Sequence, residues 1–233
     1  KQNLIVPGIL TILFYAKGWF LILFLFTIII VFTFNMLTLI TSCNRHDLLI
    51  RTIYSLVKDQ KHKLAIAINE DSDNVCDIPF IPNTMINTYK LGGKGQHRSI
   101  EMFVNAASKN NTKYYLHVED DWEFNNYYDW ITESIRIMES DSSIIKVLCR
   151  IGSPHPCNHD QEKGYGILEP WNSSDGNTWH GFSWNPGVTR LDLLREFVPF
   201  PKWEQELAEN IHKAGYKIAE LINPVYKHIG DER

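Results

Sequence analysis

The sequence predicts an α/β fold: a mostly parallel central sheet with helices on both faces, preceded by a hydrophobic N-terminal segment. Three observations predict it. From Met36 onward, short apolar runs alternate with stretches of helical periodicity, the βαβ pattern of a sheet covered on both faces. The segments TSCNR, EDSDN, GGKG and EDD fall at the ends of the apolar runs, where ligands of such sheets bind. Residues 18–44 carry no charge, and GWFLILFLFTIIIVFTF within them is long enough to cross most of a bilayer as a helix.

The elements follow in order. MLTLI, from Met36, is a buried first strand that runs into TSCNR. HDLLIRTIYSLVKDQ has helical spacing, with Asp47 early in its first turn, where a carboxylate suits the helix dipole. HKLAIAIN is a second strand ending at the acidic turn EDSDN, and INTYKL a third ending at GGKGQHR. SIEMFVNAASKN is a helix, KYYLHV a fourth strand, WITESIRIMES a helix and SIIKVLCR a further strand. From Ile151 to Val198 the pattern loosens into Gly, Pro, Asn, His and Trp, too long for an ordinary connector. Tyr165, Trp171, Trp179 and Trp184 favour a substrate surface there over disorder. EQELAENIHKAGY is a helix closed by Gly215, and YKIAELINPVYKHIG ends the domain.

Composition narrows the function. The chain has 233 residues, 21% charged and 12% aromatic, with a formal charge of −4. That is a globular mix with no basic surplus, so nucleic acid is not an expected partner. Cys43, Cys76, Cys149 and Cys157 lack the CxxC spacing of a zinc site. Cys149 and Cys157 could pair in an oxidising compartment, but reduced thiols are the preferred reading, because disulfide scaffolds are denser than this. Asn110 and Asn172 stand in short glycosylation sequons that decide nothing alone. The apolar leader, residues 1–35, reads either as a membrane anchor or as a dispensable segment before a start at Met36. It joins the first strand with no spacer.

The stretch YYLHVEDDWEF holds the strongest chemical signal. A buried strand ends on Glu119, Asp120 and Asp121. Three adjacent acids repel one another and cost desolvation unless a cation joins them. Hard oxygen ligands suit Mg²⁺ or Mn²⁺. If strand alternation persists, Glu119 and Asp121 share one side and Asp120 the other, with Asp121 on the metal. A solvated acidic turn is the plain alternative.

These residues resemble a GT-A (Rossmann-like) nucleotide-sugar glycosyltransferase. The resemblance rests on TSCNR after the first strand, the acidic loop after the second and EDD after the fourth, and it runs from Met36 to the C-terminus. WNPG, WEQELAENIHKAGYKI and KHIG strengthen it. The compact size is similar to the glycosyltransferase domain of large chlorella viruses. The resemblance implies a nucleotide-binding half (36–125) and an acceptor-binding half (126–233). Thr41, Asn44 and Arg45 would line the nucleotide pocket. Asp71 would contact the uracil ring, with Glu70 and Asp73 as substitutes in another register. Lys94 and Arg98 would approach ribose or phosphate, and Gly92, Gly93 and Gly95 would let backbone come close to ligand. Glu119 or Asp120 would receive a ribose hydroxyl, and Asp121 with His228 would hold Mn²⁺ or Mg²⁺. Glu204 is the expected base, with Glu206 second, and a single displacement would invert the anomeric centre. Many relatives carry Glu-Asp where this chain has Glu-Gln-Glu. Both acids could instead serve only the helix N-terminus. Trp171, Trp179, His180, Trp184 and Asn185 are the sugar-facing candidates, with core packing as the competing role for the tryptophans.

The expected partners are a UDP-sugar donor, with glucose or a deoxyhexose such as rhamnose, and a glycan acceptor. Membrane contact would come through residues 18–35 if that segment is retained; otherwise the protein would be soluble in a host cytoplasm. Two rival readings remain. A sugar nucleotidyltransferase would carry a Gly-rich basic loop after the first strand, which TSCNRHD is not. A carbohydrate- or nucleotide-binding protein with a degenerate site would bind without metal-dependent turnover.

Overall fold

The computed structural model describes residues 36–58, 60–71, 77–81, 84–89, 95–107, 112–149, 156–174 and 176–230. Residues 1–35, Asp73, Cys76, Gly92, Gly93, Lys94 and Asn110 lie outside them. No helix among the described residues is long and apolar enough to cross a membrane.

The first half runs β1 (Met36–Ser42), α1 (His46–Val57), β2 (Leu64–Glu70), β3 (Met85–Tyr89), α2 (Gln96–Ala107), β4 (Tyr114–Glu119) and β5 (Trp122–Phe124). The chain continues through α3 (Trp130–Ser140), β6 (Ile144–Leu148), β7 (Cys157–Asp160), β8 (Tyr165–Leu168), β9 (Trp171–Asn172) and β10 (Thr178–Trp179). It closes with β11 (Gly187–Arg190), α4 (Leu191–Leu194), α5 (Glu204–Lys213), β12 (Lys217–Leu221) and β13 (Tyr226–His228).

Among the described residues one sheet holds nine strands in the order β3-β2-β1-β4-β11-β6-β12-β8-β7. Seven run one way, while β11 and β8 oppose their neighbours on both sides. The mostly parallel expectation is therefore met at β3, β2, β1 and β4 and between β6 and β12, but four of the eight neighbouring pairs are antiparallel, so the sheet is mixed. The loosened segment does not stay irregular: it supplies five short strands, and β11 enters the middle of the sheet between β4 and β6. β11 is four residues long and follows a Trp-Asn-Pro run, so it carries no alternation long enough to read.

Helices cover both faces. On one, Leu49, Ile53 and Leu56 of α1 and Trp130, Ile137 and Met138 of α3 pack on Ile40, Ile66, Val118 and Val147. On the other, Ile100 and Val104 of α2 and Leu207 and Ile211 of α5 pack on Leu39, Tyr115 and Ile218. Each such aliphatic side chain contributes about 1.5–3 kcal/mol by leaving water. Local signals fix the ends. The Asp129 carboxylate caps α3 by accepting from the Thr132 N–H at 3.2 Å. Gly215, at φ 85°, closes α5: its N–H bonds to the His212 carbonyl and that of Tyr216 to Ile211, a Schellman turn.

Candidate active site at the strand ends

Four parallel strands point their carboxyl ends to one edge of the sheet. In register there, Thr41 stands beside Asn69 on β2 and beside Glu119 on β4. These ends and the start of α2 enclose a cleft of about 240 Å³, lined by Thr41, Cys43, Arg45, Asp71, Gln96 and Glu119 among others. The first amides of α2 border it, a natural seat for an anion.

The strand alternation expected across the three acids stops at Glu119, because β4 ends there and Asp120 and Asp121 form a turn. Asp120 and Asp121 consequently reach the same guanidinium. Arg45 Nη2 lies 2.6 Å from Asp120 Oδ1, and Nη1 lies 2.5 Å from Asp121 Oδ2. Asp120 is fully buried and also accepts from the Cys43 N–H at 3.2 Å. Burial pushes its carboxyl up to about 6, against the pull of Arg45 and the Cys43 amide. A ribose-binding Asp120 is thus corrected: this side chain ties the first loop to the turn and offers a ligand no surface. Glu119 lines the cleft and accepts from Gln96 Nε2 at 2.8 Å and Trp122 Nε1 at 3.1 Å. Burial raises its pKa, with those donors opposing.

The C-terminal strand brings in His228. β13 pairs antiparallel with β5, setting His228 opposite Trp122, so His228 Nε2 comes within 3.3 Å of Asp121 Oδ2. Asp121 Oδ1 is buried and accepts no hydrogen bond from a described residue. Beside the pair lies Gly230, where a Cβ would stand 2.7 Å from Asp121 Oδ2 and 2.8 Å from His228 Nε2. An undonated carboxylate oxygen and an imidazole, with a side-chain-free glycine beside them, together fit a divalent cation.

The other candidates scatter around this centre. Asp71 lines the cleft and accepts from the Gly95 N–H at 2.9 Å. Glu70, its substitute, turns away into full burial near His46. Asn44 sits exposed at φ 55° and turns the chain into α1 without lining the cleft. Arg98 is exposed on the first turn of α2 and is not brought to the carboxylates.

On the acceptor side, Glu204 opens α5 and accepts the Trp184 N–H. Glu206 is exposed, so of the two acids only Glu204 meets the 183–185 segment. Trp184 is corrected from sugar-facing to core: it is 4% exposed, with its ring packed against Phe182, Phe200 and His97. Trp179 pairs across strands with Trp171 and keeps partial exposure. His180 stacks on His212 at 4.4 Å, and Asn185 donates to Ser183 Oγ at 2.9 Å.

Several residues of this architecture escaped the sequence reading. Thr52 is fully buried in the apolar stripe of α1; its hydroxyl donates to the Asp120 carbonyl at 2.9 Å and accepts from the Trp122 N–H at 3.2 Å. Ser55, one turn on, accepts from the Phe124 N–H. This i, i+3 pair fixes the acidic turn and β5 to α1. Lys146 and His117 lie buried beneath Trp184. Lys146 Nζ donates to the Ser183 carbonyl at 2.7 Å; burial draws its pKa down to about 8, with Glu204 opposing. The Trp184 carbonyl can only accept, so His117 Nδ1 carries the proton there, and Nε2 is left to accept from Thr41 Oγ1 at 3.4 Å. Burial and then Lys146 lower the His117 pKa to about 3. The available signal was a basic residue inside each apolar run, IIKVL and YYLHV.

No protein-family model and no curated protein matches the chain.

Proposed function

We propose that the protein is a metal-dependent glycosyltransferase of the GT-A type, moving a sugar from a UDP-sugar to a glycan hydroxyl. The observation that carries this reading is Asp121 beside His228 and Gly230, linked to the cleft by Arg45, which lines it and contacts Asp121. In this reading the uridine lies in the cleft over Thr41 and Asp71, and the diphosphate runs along the start of α2 toward Asp121. Mn²⁺ or Mg²⁺ held by Asp121 and His228 would supply Lewis-acid neutralisation of the leaving diphosphate. Glu204 takes the proton of the acceptor hydroxyl as that oxygen attacks the anomeric carbon, and a single displacement inverts the centre. The Trp184 N–H orients the Glu204 carboxylate for this step, and partly exposed Trp179 offers an apolar face to a sugar ring.

One observation favours a second reading, nucleotide or sugar binding without turnover. Arg45 already supplies a positive charge to both Asp120 and Asp121. Release of UDP from UDP-sugars by the full chain separates the two. The enzyme reading expects release with Mn²⁺ that stops with EDTA and in Asp121→Ala. UDP binding with no release under any metal selects the binding protein.

A further inference from the structure

We propose that Cys157, His159 and Glu220 form a second cation site, for Zn²⁺ or a similarly borderline-soft divalent ion, at the far edge of the sheet. Their ligating atoms all lie within 4.8 Å of one another. The register shows why they converge. His159 of β7 stands opposite Gly166 of β8, and Gly166 stands opposite Glu220 of β12. The three occupy one row across three strands, so their side-chain directions share a face of the sheet. Cys157, two residues before His159, points to that face as well.

The middle of the row is the floor of the site. A Cβ at Gly166 would lie 2.4 Å from Cys157 Sγ and 3.0 Å from the His159 ring. With no side chain there, the thiol and imidazole lean over the glycine toward Glu220. His159 Nε2 stands 3.4 Å from Glu220 Oε1. Ligand atoms placed tetrahedrally around zinc are about 3.3–3.8 Å apart, given metal–ligand bonds near 2.0–2.3 Å. The His–Glu edge therefore already has the spacing zinc needs, and the two edges to Cys157 Sγ, neither longer than 4.8 Å, close by about an ångström when the thiol turns toward them. The His159 side chain is 29% exposed, whereas Glu220 is 2% exposed, so the site has both an entry path and a fixed end. Three protein ligands leave a fourth position for water. Thiolate and imidazole select zinc-like ions, while the carboxylates of the strand-end site select Mg²⁺ or Mn²⁺. The two sites should fill independently.

The test is a Co²⁺ titration of the metal-free full chain, followed by absorption, with Zn²⁺ added at the end. The expected result is one equivalent of cobalt giving a thiolate-to-metal charge-transfer band, bleached by zinc. Cys157→Ser should abolish the band and Asp121→Ala should leave it intact. His159→Ala should weaken cobalt binding by at least the roughly 10–100-fold that loss of a supporting ligand group costs. His159 is partly exposed, so this variant carries the test even if Cys157→Ser fails to fold. Absence of a charge-transfer band in the unmodified chain overturns the proposal. So does a band that survives Cys157→Ser, or one with unchanged affinity in His159→Ala.

Discussion

The two candidate cation sites solve one electrostatic problem by different routes. At the strand ends, Asp121 comes from a turn of consecutive acids whose other member, Asp120, is held by Arg45, and a single residue from the last strand, His228, joins Asp121. At the far edge, the three ligating residues come from two non-adjacent strands and converge over a glycine on the strand between them. The first site pairs a carboxylate with an imidazole and is countered by Arg45; the second adds a thiol, is softer, and pairs a buried carboxylate with His159. Buried charge needs a partner in either place. What differs is whether local sequence or sheet register supplies that partner.

Catalysis is the sharpest way to separate the strand-end site from everything else. Glu204→Gln should lower turnover by about 10²–10⁴-fold, the range for loss of a general base. Its amide oxygen can still accept the Trp184 N–H, so UDP affinity should stay put. Glu206→Gln, at an exposed position on the same helix, should change neither quantity. Steady-state kinetics beside UDP titrations read both variants, and equal losses in the two would remove Glu204 from its role.

A smaller effect tests whether the two sites are independent. Gly230→Ala places a methyl against Asp121 and His228. It should weaken Mn²⁺ binding by roughly 10–100-fold, the cost of disturbing a metal's supporting groups. Cobalt binding at Cys157 should be untouched. Paired titrations of Mn²⁺ and Co²⁺ on the same variant check it; loss at both sites would mean one coupled structure.

A pH effect concerns the buried layer beneath Trp184. His117 refuses a proton down to about pH 3, while an unfolded histidine accepts one near 6.5. Between those values the unfolded state binds more protons, so stability falls as pH drops from about 6.5, by at most about 1.4 kcal/mol per unit. His117→Gln keeps a donor for the Trp184 carbonyl and an acceptor for Thr41 without titrating. Denaturation midpoints from pH 7 to pH 4 should show a shallower slope for the variant than for the unmodified chain.

These contrasts also explain what the sequence could and could not disclose. β1, α1, β2, α2, β4, α3 and β6 were readable because each carries a full period of its own pattern. Asp121 was readable because acids end an apolar run. His228 gained meaning only through the resemblance, since its proximity to Asp121 depends on β13 returning to β5. Trp184 was misplaced because an aromatic in a Gly- and Asn-rich segment looks the same whether it faces solvent or core. Thr52 was silent because a threonine within a helical stripe fits the periodicity without declaring its hydrogen bonds. The row His159–Gly166–Glu220 had no linear signature at all. It exists only through two strand registers separated by more than fifty residues of sequence.

The central claim is that the acidic turn and His228 form a cation site coupled to nucleotide binding. Mn²⁺ electron paramagnetic resonance on the full chain, with and without UDP, tests it most directly. The account predicts one bound Mn²⁺ whose affinity rises when UDP is present, lost in Asp121→Ala and kept in Cys157→Ser. UDP binding of equal strength with Mn²⁺ and with EDTA, and no Mn²⁺ signal that depends on Asp121, would contradict it.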